Sequence, residues 1–240
     1  LGGGSPIDSM KAIAMIVRYG GRPGDYMGKL VTGVLPPMVA VPTTAGTGSE
    51  ATQFTIITDR TSQVKMLLKG PALMPDVAVI DPHFMMTVPR RITAATGADA
   101  LTHALEAYTS RRAQPLSDTF ALSACDRIFR FLKKAWEDGE DEESRVQMSL
   151  AALEAGIAFN NSSVTIIHGM SRPIGALFHV PHGISNAMLL QVCLEYIVDG
   201  VEERFGDIAI RCGFAEADEG KSQAARKVLK AVKRLLDDIA

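Results

Sequence analysis

The feature that most constrains the fold is a change of rhythm near Pro89. Before it, short β-branched runs alternate with a helical run and with glycine-rich turns. After it the strand signals vanish and a 3.6-residue periodicity runs to the last residue. Alternating strands and helices imply an α/β layer. An unbroken series of amphipathic segments implies a helical body. The expectation is an α/β lobe over residues 1–88 and an all-α lobe over residues 89–240.

Within the first lobe, Asp8 is expected to start a helix through SMKAIAMIVRY, and residues 38–42 to form a buried strand. FTIITD and VKMLL flank the turn signal Arg60-Thr61-Ser62, and residues 76–81 read as another short strand. In the second lobe helices are expected over 92–110, 115–136, 144–159, 163–178, 184–198, 202–212 and 222–239. The acid run EDGEDEES, residues 137–144, reads as a solvated loop, and the basic terminal helix as the wet face of a packed element.

Two glycine-rich loops stand out in the first lobe. GGGSPID precedes a helix, and TTAGTGSE follows the strand at 38–42. Glycine lets backbone approach a phosphate, and helix N–H groups then face the anion. The carboxyl ends of strands are where open α/β sheets bind ligands. Neither loop is the GxGxxG fingerprint, and each alone reads as a turn or polar loop. Together they point to a nucleotide.

The second lobe holds the histidines. Of five in the chain, His168, His179 and His182 fall in HGMSRPIGALFHVPHG. In GADALTHALEAY, Asp99 and His103 are four apart and project from one helix face, with Glu106 near it. Leu101, Ala104, Leu105 and Tyr108 take the opposite face. Taken alone, such a polar stripe faces water. Pro173, Gly175 and Pro181, however, let a helix break and turn back, bringing His182 toward His168. Pro181 favours a helix's first turn, which puts His182 at a positive helix end and keeps it neutral, as a ligand must be. Asp99, His103, His168 and His182 then make four N/O ligands, suited to Fe(II) or Zn(II). His179 is expected as a wall of the same pocket or as a partner behind the ligands, and His83 as structural.

Other classes are disfavoured. A net charge of −2 argues against a nucleic-acid binder. No apolar run reaches the roughly 18 residues of a membrane helix. Cys125, Cys193 and Cys212 are far apart in apolar helical patterns and read as core thiols of a reducing, cytoplasmic compartment. The chain opens on LGGGS without Met and stops within a helical pattern, so a fragment of a longer protein is expected.

GGGSPID, PTTAGTGSE, ATGADALTHALEAY and HGMSRPIGALFHVPHG, in this order, resemble the iron-containing (group III) alcohol dehydrogenases, and the likeness runs through nearly the whole chain. The resemblance implies a dehydroquinate synthase-like fold, with a partial Rossmann-like dinucleotide-binding lobe and a helical metal-binding lobe. It implies metal ligands at Asp99, His103, His168 and His182. NAD or NADP contacts are implied at Gly3, Gly4, Ser5, Asp8, Thr43, Thr44, Thr47, Thr52 and Lys65. The implied activity is an NAD(P)-linked alcohol dehydrogenase or aldehyde reductase of small substrates, in a homo-oligomer, with the metal as Lewis acid during hydride transfer. Relative to the family, a nucleotide-binding stretch before GGGS and helices after the last residue are missing. Arg172 stands where many members carry histidine. Arginine cannot shuttle a proton at neutral pH, and its planar fork fits a carboxylate or phosphate. Arg172 is therefore expected to contact substrate, the alternative being a local carboxylate partner. Two other readings stay open: a metal- and nucleotide-binding fragment without turnover, and a zinc-dependent polyol dehydrogenase or lyase of the dehydroquinate synthase superfamily.

Overall fold

A computed structural model describes residues 1–240 except Arg60 and Gln63. Helix α1 spans Gly4–Tyr19 and turns Ile7, Lys11 and Met15, spaced by four, into the interior. It begins four residues before Asp8, because proline is tolerated in a first helical turn and Pro6 lies there. Strand β1 (Val39–Ala40) pairs in parallel with β4 (Val77–Ala78), and Gly2 bridges Pro42 in the same sense. Both strands are shorter than their apolar runs, since only two residues of each are paired. Between them β2 (Phe54–Asp59) and β3 (Val64–Lys69) form an antiparallel hairpin in the register Phe54↔Lys69 to Asp59↔Val64. At its turn Asp59 accepts from the Thr61 amide at 2.9 Å and the Ser62 hydroxyl at 2.6 Å. Arg60 of the expected turn signal lies outside the described residues. Met15, Val31, Met66, Leu68 and Leu73 make this lobe's small core.

From residue 90 onward every element longer than one turn is an α-helix: α2 (Arg90–Thr109), α3 (Pro115–Glu137), α4 (Glu142–Ser162), α5 (Ile166–Leu177), α6 (His182–Ile197), α7 (Glu202–Arg211) and α8 (Lys221–Asp238). One core joins Leu101 and Leu105 of α2 to Ile128 and Leu132 of α3, Phe205 of α7 and Val228 and Val232 of α8. The acid run is less of a loop than its charge suggests. Helix α4 starts at Glu142, Asp141 caps it by accepting from the Ser144 amide, and Ser144 is buried. Helix α5 starts at Ile166, later than expected, because Ser163 takes a φ of 83° and α4 and α5 meet at a 104° bend. Among the described residues no single helix is long and apolar enough to cross a membrane.

Three sets of contacts fix the loop of residues 43–54 between these parts. Lys11, fully buried on α1, donates to the carbonyl oxygens of Ser49, Thr52 and Phe54 at 2.7, 2.7 and 2.8 Å. On the other side the loop crosses α4 at Gly48, where φ is +60° and where a Cβ would lie 2.6 Å from the Gly156 Cα. The Gln53 amide adds a bond to Asn160 Oδ1 at 2.9 Å.

Candidate metal centre

Helix α2 carries Asp99, His103 and Glu106. Gly97 through Tyr108 are all buried, so the polar stripe does not face water as such stripes usually do. It faces α5 and α6. His168 lies in the first turn of α5; Pro173 and the end of α5 at Leu177 let the chain reverse, and His182 opens α6 directly after Pro181. Asp99 Oδ1 then sits 4.0 Å from His103 Nε2, 3.6 Å from His168 Nε2 and 3.7 Å from His182 Nε2. The four ligand atoms all lie within 4.8 Å of one another. Around a tetrahedral ion at about 2.1 Å, ligand atoms stand about 3.4 Å apart.

Two further residues complete the arrangement: Glu106, which the sequence placed near the ligand face without a role, and Asn186, which it did not mark. Glu106 Oε1 accepts from Thr165 Oγ1 at 2.8 Å and from the Ile167 amide at 2.7 Å, while Oε2 meets His168 Nδ1. That carboxylate holds the proton on Nδ1 and leaves the Nε2 lone pair aimed at Asp99. Asn186, one turn after His182, puts its amide nitrogen 2.7 Å from Asp99 Oδ1, 3.1 Å from His168 Nε2 and 3.4 Å from His182 Nε2. Its own Oδ1, and His103 Nδ1, are buried without partners. Lone pairs converge on one point that a single amide donor fills incompletely. A divalent cation fits that donor set. The spacing of Glu106 from His103 was the available signal for the first residue; no residue type marks Asn186.

Protonation favours the same use at Asp99, His103 and His182, and His168 is the exception. Burial is the strongest influence on Asp99 and opposes its charge, yet His103, His182 and His168 together hold its carboxyl below the usual range. Burial pushes His103 down to about 3. Burial also lowers His182, against the opposing pull of Asp99. His168 is raised: burial opposes its charge, but Asp99 and Glu106 outweigh burial. Phe159 stacks on His103 with ring centres 4.3 Å apart and walls the site.

A cleft of about 620 Å³ runs from these four residues to the start of α1. Gly4, Ser5, Asp8, Thr47, Thr52, Lys65 and Arg172 line it; Gly3, Thr43 and Thr44 do not. Gly3 lies under the Thr44 side chain, where a Cβ would be 3.1 Å from Oγ1. Within the lining, Asp8 already accepts from Ser49 Oγ at 2.5 Å and the Ile56 amide at 2.9 Å, so its carboxylate ties α1 to the loop. Thr52 is buried against Lys11. His179 is not the expected pocket wall. It is exposed at φ 55° and absent from the lining, because the left-handed turn after α5 swings it outward. His83 is exposed and pairs with Asp81 at 2.9 Å.

Known proteins match along the whole chain. Residues 93–240 fit the C-terminal part of the Fe-containing alcohol dehydrogenase family, and residues 1–82 fit the iron-containing alcohol dehydrogenase family. The NAD-dependent methanol dehydrogenase of Bacillus methanolicus is 39% identical over 98% of this chain and 62% of its own length. The 1,3-propanediol dehydrogenase of Klebsiella pneumoniae is 40% identical over 100% of this chain and 62% of its own. A crystal structure of 1,3-propanediol oxidoreductase superposes with a TM-score of 0.96 at 40% identity, covering 100% of this chain and 63% of that one. The chain thus spans about 62% of the length of the curated relatives it matches. With both segments matched in order along nearly the whole chain, the chain belongs to the iron-containing alcohol dehydrogenase family.

Proposed function

We propose that this chain forms the reacting part of an NAD-linked, iron-dependent alcohol dehydrogenase or aldehyde reductase acting on small substrates. Residues 1–88 would be the partial cofactor lobe and 89–240 the metal lobe. The observation that carries the reading is the convergence of Asp99 Oδ1 with three histidine Nε2 atoms at one end of a cleft whose other end is the start of α1. Iron is preferred over zinc on the family's name, and NAD over NADP on the name of the Bacillus methanolicus relative. A homo-oligomer is supported by the exposed apolar stripe Met188, Val192 and Tyr196 on α6, and a reducing, cytoplasmic setting by three free cysteines. No observation favours a non-catalytic fragment, a zinc polyol dehydrogenase or a lyase.

When bound, the ion would supply Lewis-acid polarisation of the substrate oxygen. Asp99, His103, His168 and His182 would hold it. Glu106 keeps the His168 proton on Nδ1, and low proton affinity keeps His103 and His182 neutral at neutral pH. At the other end, Gly4 lacks the Cβ that would press on Thr47 Cγ2 at 2.8 Å, which leaves the first-turn amides of α1 open to a diphosphate. The test is anaerobic loading with Fe(II), elemental analysis, and nicotinamide absorbance with a panel of aldehydes and both cofactors. About one ion per chain and aldehyde-dependent NADH oxidation are expected. Undiminished hydride transfer by metal-stripped protein would sink the reading.

A further inference from the structure

Arg172 sits on α5 one turn beyond His168 and lines the cleft beside all four candidate ligands. Its Nε is buried with no hydrogen-bond partner. Among the described residues no carboxylate forms an ion pair with it. The carboxylate it feels most is Glu106, whose oxygens are taken by Thr165, the Ile167 amide and His168. Asp99 is engaged by Asn186 and the histidines. The local carboxylate that was the alternative partner for this arginine is therefore not there. A second cation lies close by. A Cβ on Gly175, three residues on and on the same face of α5, would sit 2.7 Å from Lys65 Nζ, so the lysine ammonium rests against the backbone beside Arg172. Both charges act on His182.

A half-buried guanidinium whose buried Nε has no partner, with an ammonium beside it, is costly to leave uncompensated. A neutral alkyl alcohol offers them nothing. A carboxylate or similar oxyanion offers the planar, two-oxygen acceptor that a guanidinium fork matches. We propose that the cleft takes a short aldehyde, and its alcohol, whose far end carries an oxyanion seated on Arg172 with Lys65 beside it. This rests on the dehydrogenase reading of the cleft and names the class of its substrate. The reacting oxygen would lie toward Asp99 and the three histidines, and the anionic end one helical turn along α5. Arg172 is thus a substrate-binding residue and takes no part in moving protons.

Binding is measurable without turnover. Calorimetry on the zinc-loaded chain, with no nicotinamide present, compares 4-hydroxybutanoate with 1,4-butanediol, a neutral ligand of equal length. The anion should bind at least about tenfold tighter than the diol. Arg172→Met should weaken the anion by about 10- to 100-fold and leave the diol within about twofold. Arg172→Lys should restore part of the loss, as charge without the fork, and Lys65→Met should weaken the anion alone. Should Arg172→Met fail to fold by circular dichroism, the Arg172→Lys and Lys65→Met pair carries the same comparison. No preference for the anion in the parent, or equal effects on both ligands, overturns the proposal. So does a variant that weakens ADP-ribose while sparing 4-hydroxybutanoate, which would assign the cations to the cofactor's diphosphate. Failure of hydride transfer would leave these binding results standing, and turnover of neutral aldehydes with no preference for the anion would overturn the substrate class alone.

Discussion

Replacing Glu106 with glutamine tests how the site is held. The change keeps shape and removes one acceptor. Glu106 uses one oxygen for Thr165 and the Ile167 amide and the other for His168 Nδ1. A glutamine that keeps the first two bonds must turn its NH2 toward Nδ1. The imidazole proton then moves to Nε2, the atom 3.6 Å from Asp99 Oδ1, and that atom can no longer be a ligand. The opposite amide orientation sets NH2 against the buried Ile167 N–H and leaves a donor unpaired, at about 1–3 kcal/mol. Either way the ligand set is damaged while the fold is spared. Loss of such an outer partner costs about 10–100-fold in metal affinity, which is about 1.4–2.8 kcal/mol. Competition for Zn(II) against a chromophoric chelator reads the affinity, and thermal melting of the metal-free chain controls for folding. An affinity within about twofold of the parent, with an unchanged metal-free melt, would refute the claim that Glu106 sets the His168 tautomer.

Other expectations follow from the same contacts. His182→Ala removes a candidate ligand and should lose more than about 100-fold in metal affinity by the same competition; full retention would remove His182 from the set. Lys11→Met strips a donor from three carbonyl oxygens and should cost about 2–4 kcal/mol by urea unfolding; a loss under about 1 kcal/mol contradicts its role. His103 is held at about 3 when folded against 6.5 ordinarily, so as pH falls from 6.5 toward about 3 the unfolded chain gains a proton that the folded chain refuses. That contribution to stability is whole above 6.5 and is lost in this window, so metal-free His103→Gln should show a shallower drop in melting temperature on acidification; an equal drop speaks against it. Ser163→Gly relieves a side chain from a φ of 83° and should raise the melting temperature by about 2–4 °C, for a net gain of about 1 kcal/mol; a lower melting temperature would show that the bend is unstrained.

Much of the helical lobe was legible because its periodicity is strong. The bounds of α2, α3, α6, α7 and α8 fall within two residues of the apolar pattern. The short strands were overread: apolar runs at 38–42 and 76–81 mark burial, but pairing depends on how far neighbouring chain segments run together. Asp99, His103, His168 and His182 stand out by residue type and by the bend between the last two, and the fold brings them together. What was not legible depends on partners distant in sequence. Nothing local in GADALTHALEAY says that its polar stripe will be enclosed by other helices, or that Glu106 will meet Thr165, 59 residues on. Asn186 has an ordinary polar side chain until the histidines surround it. His179 misled because nearness in sequence suggested nearness in space, and one backbone angle decides otherwise.

The crossing of Gly48 and Gly156 has a consequence for how such a chain can be altered. A methyl on Gly48 would meet the Gly156 Cα at 2.6 Å, and a methyl on Gly156 would meet the Gly48 Cα at 2.9 Å. Each glycine is therefore intolerant because of the other, and Gly48 is further bound by its left-handed angle. Site-by-site scanning would score both as immovable, although a wider spacing with side chains at both positions is a different, untried arrangement. Selection or design that seeks to re-angle the 43–54 loop against α4 has to change the two positions in one step, together with the loop backbone, since every single-substitution intermediate collides.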